Sequence, residues 1–394
     1  MTTTIDNEQK TLNVPNLRFP EFEGEWEEER LSDIADTSKG IGISKDQLSA
    51  DGEPCILYGE LYTKYKSETI KEVISKTNID NTKLVKSKAN DVIIPCSGET
   101  AEEIATARCV LKDDVLLGGD LNIIRLHGYD GSFMSYQLNG KRKYDIAKVA
   151  QGVSVVHLYG EHLKNIKTIN PSLNEQKKIA NLLSLLDERI STQNKIIEKL
   201  ETLIKGICNN YFLKLSHSQE MKSIRLGDIL KERNEYCCKD GTFVHGTLSK
   251  DGLFPKTERW NRDFLVKEEN KKYKITHLDD ICYNPANLKF GVICRNIYGD
   301  LIFSPIYVTF EVSKKVNIGF IELYLTNRNF IEKIRKFEQG TVYERMSVSP
   351  EDFLSYKIRI PSLSEQTFFY QKIQRLKNCS QNELEHLNLT CWRN

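Results

Sequence analysis

The sequence predicts an α+β chain of two tandem mixed domains, joined by long helices that pair as an antiparallel intramolecular coiled coil with pseudo-twofold symmetry. Three observations carry this: a phrase written twice, further landmarks in register with it, and a heptad stripe after each copy. PSLNEQ at Pro171 to Gln176 returns as PSLSEQ at Pro361 to Gln366, with five of six letters identical, 190 positions apart. RLSDI at Arg30 answers RLGDI at Arg225, DVIIP at Asp91 answers DICYN at Asp280, and Gln151-Gly152 answers Gln339-Gly340. The offsets drift only from 188 to 195, as loop insertions and deletions would produce. Between the landmarks the halves differ almost completely, so one frame carries two different surfaces.

Taken in order, 1–19 is an N-terminal extension, 20–170 the first domain, 171–215 a spacer helix, 216–360 the second domain and 361–394 a returning helix. SHSQEMKS, from Ser216 to Ser223, marks the second boundary. Short apolar runs such as VIIP, LNIIRL, IKTI, LIFSPIYVTF and YKIRI read as strands, and FIELYLTNRNFIEKIRKF has helical spacing. Ser172 precedes Glu175 by three residues, as Ser362 precedes Glu365. Each pair stands behind a proline, the capping-box pattern of a helix start.

The first long helix runs from about Asn174 to Leu215, roughly 60 Å at ~1.5 Å per residue. Its seam is Ile179, Leu183, Leu186, Ile190, Gln193, Ile197, Leu200, Ile204, Ile207 and Tyr211, with only Gln193 polar. The second copy places Phe369, Ile373, Leu376 and Leu387 on the same seam, interrupted by Ser380 and Glu383, and reads as shorter and weaker. Because the first helix leaves domain one for domain two, a twofold relation requires the second to run back.

Charge and cysteines set limits. Lys plus Arg number 56 against 55 Asp plus Glu, so any polyanion contact must be local. No apolar run reaches the ~18 residues of a membrane span, and MTTTIDNEQK lacks a signal-peptide pattern, so a cytoplasmic location is expected. The 10 cysteines contain no C-x-x-C pair, and His157 and His162 have no metal-ligand spacing, so buried free thiols and no bound metal are expected.

Two related but differently surfaced domains on a rigid spacer suit recognition of two half-sites on a duplex, with the helix pair as a ruler. The stretch NVPNLRFPEFEGEWEEERLSDIADTSKG, from Asn13, resembles the opening of the specificity subunits of Type I restriction-modification systems. INPSLNEQKKIANLLSLLDERISTQNKIIEKLETLIKGICNNYF, from Ile169, resembles their central region, and with the second-half landmarks the resemblance spans nearly the whole chain. It implies two target-recognition domains, each reading half of a split double-stranded DNA target, and helices that dock two modification subunits. It further implies no catalysis by this chain and no cofactor bound to it. S-adenosylmethionine, ATP and Mg are expected on the modification and restriction subunits, which methylate adenine N6 or cleave DNA.

Candidate DNA contacts follow from the residues. CILYGELYTKYK places Tyr58, Tyr62 and Tyr65 beside Lys64 and Lys66, as a loop that grips phosphate and touches bases would. Lys39, Lys141, Arg142, Lys143, Lys148 and Gln151 are further candidates in domain one. Lys256, Arg259, Arg262, Gln339, Tyr343 and Arg345 are their counterparts in domain two. Against each stands the reading of a solvated surface charge or a packed ring. The six glutamates of Glu21 to Glu29 suit a basic partner better than DNA.

Two rivals remain in view. A stand-alone methyltransferase or nuclease finds little support: NPAN at Asn284 to Asn287 lacks the final aromatic of an N-P-P-Y motif, KGIG at Lys39 offers only two glycines, and no phosphate loop or nucleophile elbow is present. A structural dimerisation protein would pair the coiled coil between chains instead.

Overall fold

The computed structural model describes residues 13–152, 155–238, 243–256, 272–338 and 347–391, with side chains to 385. Two compact units divide at Ser191 and Thr192. In the first, a mixed sheet orders strands Ala35–Lys39, Leu121–Leu126, Asp91–Pro95, Arg108–Val110 and Thr69–Ile70. A second sheet orders Leu48–Ser49, Ser75–Thr77, Glu53–Ile56, Leu116–Leu117 and Val85–Lys86. DVIIP is buried at all five positions, because a central strand has both faces covered.

The second unit repeats the central part of that order with Leu230–Glu232, Val308–Val312, Ile281–Tyr283 and Ile293–Arg295. The landmarks explain themselves at this level. Asp91 takes the backbone N–H of Lys88 and a forked Arg125, at 2.9 and 2.7 Å. Asp280 takes the N–H of His277 and Arg233, at 3.0 and 3.2 Å. Leu31 and Leu226 each donate a backbone N–H just outside a two-stranded ribbon, to Ile166 and Tyr356.

The helices that organise the two units are α1 (Gly131–Asn139), α2 (Leu173–His217), α3 (Ile318–Leu325) and α4 (Leu363–Cys391). The glutamine that ends each repeated phrase is almost fully buried and does the same work twice. Gln176 donates to the Pro171 carbonyl at 2.8 Å and accepts from the Asp130 N–H, at the N-cap of α1, at 2.9 Å. Gln366 donates to the Pro361 carbonyl at 2.9 Å and accepts from the Asn317 N–H, at the N-cap of α3, at 2.9 Å. Each glutamine thus staples the start of a long helix to the start of a short one. That is the physical content of the repeat.

The capping box holds only in the second copy, where Glu365 accepts from the Ser362 N–H at 3.0 Å. In the first, Arg18 captures Glu175 through a bidentate pair at 2.8 and 2.7 Å, so that carboxylate caps nothing on its own helix. The segment from Asn13 to Trp26 lies across the first turns of α2: Lys178 pairs with Glu21 and sits over the Phe19 ring. The acidic stretch is likewise used internally, with Glu28 paired to Lys167 and Glu29 accepting from Tyr129 and Asn170.

Helix α2 is 45 residues long, about 68 Å. Its last turns are built into the second unit, where Tyr211 stacks on Phe369 at 3.8 Å and Phe212 packs edge-on against Phe320 and Tyr324. Ile204 and Ile207 join the same core as Phe369 and Ile373, while Ile197 lines a groove with Leu384. Numbers fall along α2 as they rise along α4, so the two helices are antiparallel. At Ser380 the contact opens into a groove shared with Glu201, Lys205 and Gln381. Leu186, Ile190, Leu200 and Leu376 are half-buried, and the Leu387 side chain lies outside the described residues. The N-terminal seam residues differ from expectation: Ile179 and Leu183 line a slot with Trp26, Phe133 and Tyr136 of their own domain.

Two predicted elements are divided. LIFSPIYVTF forms two strands, Leu301–Phe303 and Val308–Val312, because Pro305 falls between them. The helical run from Phe320 breaks at Asn327, whose side chain accepts from the Asn329 N–H and starts a second helix, Arg328–Ile334.

Candidate nucleic-acid interface

In the first unit five loops converge at one end of the sheets. The Gly40 N–H donates to Leu121, the Ile41 N–H to Leu117, the Gly118 N–H to Ile56, the Cys96 N–H to Asp120 and the Leu158 N–H to Cys96. Strand Val156–His157 pairs with Ser97–Gly98, and the Tyr62 hydroxyl donates to the Ser97 carbonyl at 3.2 Å. Glycine is what lets these chains meet. A Cβ on Gly40 would run into the Gly118 carbonyl, and Gly152, at φ +127, would meet the Val155 carbonyl.

This end presents polar and aromatic side chains outward. Lys39 lies 5.6 Å from the Tyr159 ring centre, and Tyr159 stacks with His157 at 6.3 Å and meets His162 edge-on at 5.6 Å. Tyr58, Lys66, Gln151 and Tyr159 are exposed. An ammonium beside a stacked aromatic group, on a rim of close-packed backbone, can hold a phosphate and lay a flat surface against a groove.

The predicted residues therefore separate. Lys39, Tyr58 and Gln151 lie on the loops of this end and Lys66 is exposed nearby, donating to the Tyr62 carbonyl at 3.4 Å; Tyr62 and Tyr65 pack beneath, and Lys64 is exposed but tied down. Tyr65 is 6% exposed and its hydroxyl accepts from the Ile74 N–H. The Tyr62 ring is half-buried, and burial pushes its hydroxyl well above the ordinary range. Lys64 is tied to Glu60 at 2.6 Å and Ser75 at 2.7 Å. Lys141 and Arg142 line the slot beside α2, with Arg142 paired to Asp145 at 3.4 Å. The helix Lys143–Val149, about 10 Å long, separates them from Lys148 and Gln151 at its other end.

In the second unit Lys256 is exposed at the end of strand Gly252–Pro255 and donates its N–H to His245. Arg259, Arg262, Gln339, Tyr343 and Arg345 lie outside the described residues. NPAN proves to be a turn: Asn284 caps the 3-10 segment Pro285–Phe290, which closes on Gly291 at φ +80. That turn follows the strand equivalent to DVIIP and carries Lys289 over the Phe290 ring at 5.3 Å, with Phe290 66% exposed. Lys289, Phe290, His157 and Tyr159 were missed in the sequence. The available signal was a Lys-Phe pair closing a proline-started turn on glycine.

Among the described residues, no cluster of His, Cys, Asp and Glu has the arrangement of a metal site. The buried thiols are inert by environment: burial raises Cys96 to about 11 and Cys109 to about 12.

Comparison with known proteins gives this end its context. Residues 23–202 match the family model described as Type I restriction modification DNA specificity domain. That stretch is similar to a Type I restriction-modification DNA specificity domain. The chain is 24% identical over 397 aligned positions to the Type I restriction enzyme MjaVIII specificity subunit of Methanocaldococcus jannaschii, covering 94% of this chain and 90% of that one. The putative type I restriction enzyme MjaX specificity subunit of the same organism is 22% identical, covering 93% and 90%. In fold, the chain resembles the S subunit of a Type I system from M. genitalium, with a TM-score of 0.60, 17% identity and 93% of each chain covered. It also resembles a chain solved in work on complex assembly and conformational transition of the type I R-M system, with a TM-score of 0.52, 13% identity and 93% and 94% covered.

Proposed function

We propose that each unit reads one half of a bipartite double-stranded DNA target through the loop end described above, and that α2 and α4 fix the distance between the halves. The observation that carries this reading is the pairing of a repeated frame with unlike surfaces. Both units keep the sheet order, the forked aspartate and the glutamine staple. Their loops differ: the first unit exposes Lys39, Tyr58 and Tyr159 there, while the second carries Lys289 and Phe290 on the turn after its DVIIP-equivalent strand. A frame kept while its loops diverge suits two related domains that recognise different half-sites.

The chain acts as a non-catalytic guide in the cytoplasm. Two modification subunits carry S-adenosylmethionine and methylate adenine N6; restriction subunits with ATP and Mg translocate and cleave DNA. No described helix is long and apolar enough to cross a membrane.

The ruler is tested by inserting four helical residues after Gln193, lengthening α2 by about 6 Å, close to two base-pair steps of ~3.4 Å. The insertion is expected to shift or abolish the accepted spacer. Full activity on the unchanged spacer would refute the ruler. Methylation by the purified chain alone would refute the non-catalytic role.

A further inference from the structure

The spacer helix is tied to the loop that presents Tyr58 and Lys66 by a part-buried polar cluster. Asp187, on α2, accepts from the Tyr136 hydroxyl of α1 at 2.6 Å and from the Ser67 hydroxyl at 3.3 Å. Ser67 is the next residue after Lys66. Beside it, Glu68 accepts from Asn139 of α1 at 3.2 Å and faces the Arg108 guanidinium at 3.9 Å. Arg108 is buried and donates twice to the Tyr65 carbonyl, at 3.3 and 3.2 Å, holding the same loop from inside. One residue further along α2, Glu188 pairs with Lys71 at the surface, where both side chains are about half exposed.

This arrangement discriminates between helix positions. Sliding α2 by one residue moves its side chains by about 1.5 Å along the axis and 100° around it, which removes both bonds to Asp187 together. Hydrogen bonds to a carboxylate are short, directional and stronger than neutral ones. The helix therefore meets the loop in one register and at one rotation.

We propose that Asp187, through Tyr136 and Ser67, is a positioning residue that locks the spacer helix to the reading loop of the first unit and so restricts the spacer length the protein accepts. The inference rests on the bipartite-target reading above and assigns part of its spacing selectivity to one cluster.

The test uses the full chain assembled with its modification subunits and a duplex library in which the two half-sites are separated by the native spacer and by one or two base pairs more or fewer. Adenine methylation is read at each spacing by sequencing. The parent is expected to act at one spacing. Asp187→Ala and Tyr136→Phe are expected to raise methylation at neighbouring spacings to at least a tenth of the native level, whereas Lys71→Ala leaves the profile unchanged. Tyr136→Phe removes a single oxygen atom and decides the matter if Asp187→Ala folds poorly. A profile still confined to the native spacing in Tyr136→Phe, whatever its rate, overturns the proposal and leaves the bipartite reading standing. A parent that methylates no bipartite site overturns the reading on which the proposal rests.

Discussion

Replacing Gln176 by alanine removes two hydrogen bonds at once, to the Pro171 carbonyl and from the Asp130 N–H. The residue is 1% exposed, so water cannot replace either partner without opening the packing. Two net bonds at roughly 1 kcal/mol each, plus part of the penalty for the orphaned groups, give a loss of about 2–4 kcal/mol. For a unit of this size that is a fall in Tm of roughly 5–15 °C. Gln366→Ala removes the matching pair from the second unit and is expected to cost about the same ~2–4 kcal/mol. Urea titrations followed by circular dichroism should show a lower midpoint for each variant. The two units make a single transition an unsafe assumption, so each transition is fitted separately. Gln176→Glu sharpens the test: ionised, it sets a buried charge against the Pro171 carbonyl, so at neutral pH it should destabilise at least as much as alanine, and less so at low pH, where the protonated acid can donate again. If both alanine variants stay within ~0.5 kcal/mol of the parent, as ordinary surface changes do, the staple does not explain the repeated phrase.

Two further outcomes test separate parts of the account. At His277, burial favours the neutral ring, but hydrogen bonds to Glu235 at 3.0 Å and Asp300 at 2.7 Å outweigh it and hold the pKa above the ordinary 6.5. A raised folded-state pKa gives stability that is fully present below the unfolded pKa and is lost as pH rises through the folded one. The stability gap between parent and His277→Ala should therefore be widest below about pH 6.5 and narrow above it; urea midpoints that show a constant or widening gap with rising pH would contradict this. Lys39→Ala and Lys289→Ala should each weaken DNA binding by the assembled complex and reduce the slope of log K against log salt by about 1, and unchanged slopes would remove them from the phosphate-contacting set.

The parts legible in the sequence are those set by local chemistry. The heptad stripe shows as a long helix because its period is a property of neighbouring residues, and the apolar run VIIP shows as a strand for the same reason. The repeated glutamine was visible as a letter but not as a staple, since the N–H groups it accepts from, those of Asp130 and Asn317, lie more than forty residues away. The failed capping box at Glu175 has a similar cause: Arg18 reaches it from 157 residues earlier, and a charged bidentate partner outcompetes a local amide. Tyr65 and Tyr62 looked like an exposed gripping loop because exposure is settled by what packs above a residue. Tyr159 and His157 went unread as an interface because only the pairing of Val156–His157 with Ser97–Gly98 brings them beside Lys39.

The central claim, that this chain directs modification to a split DNA target, is tested most directly by single-molecule sequencing of N6-methyladenine in the host genome with the gene intact and deleted, and after co-expression with a modification subunit. The account predicts one motif, two short half-sites around an unspecified spacer of fixed length, methylated when the gene is present and lost when it is removed. A methylome that stays the same on deletion, together with no bipartite motif on co-expression, would contradict it.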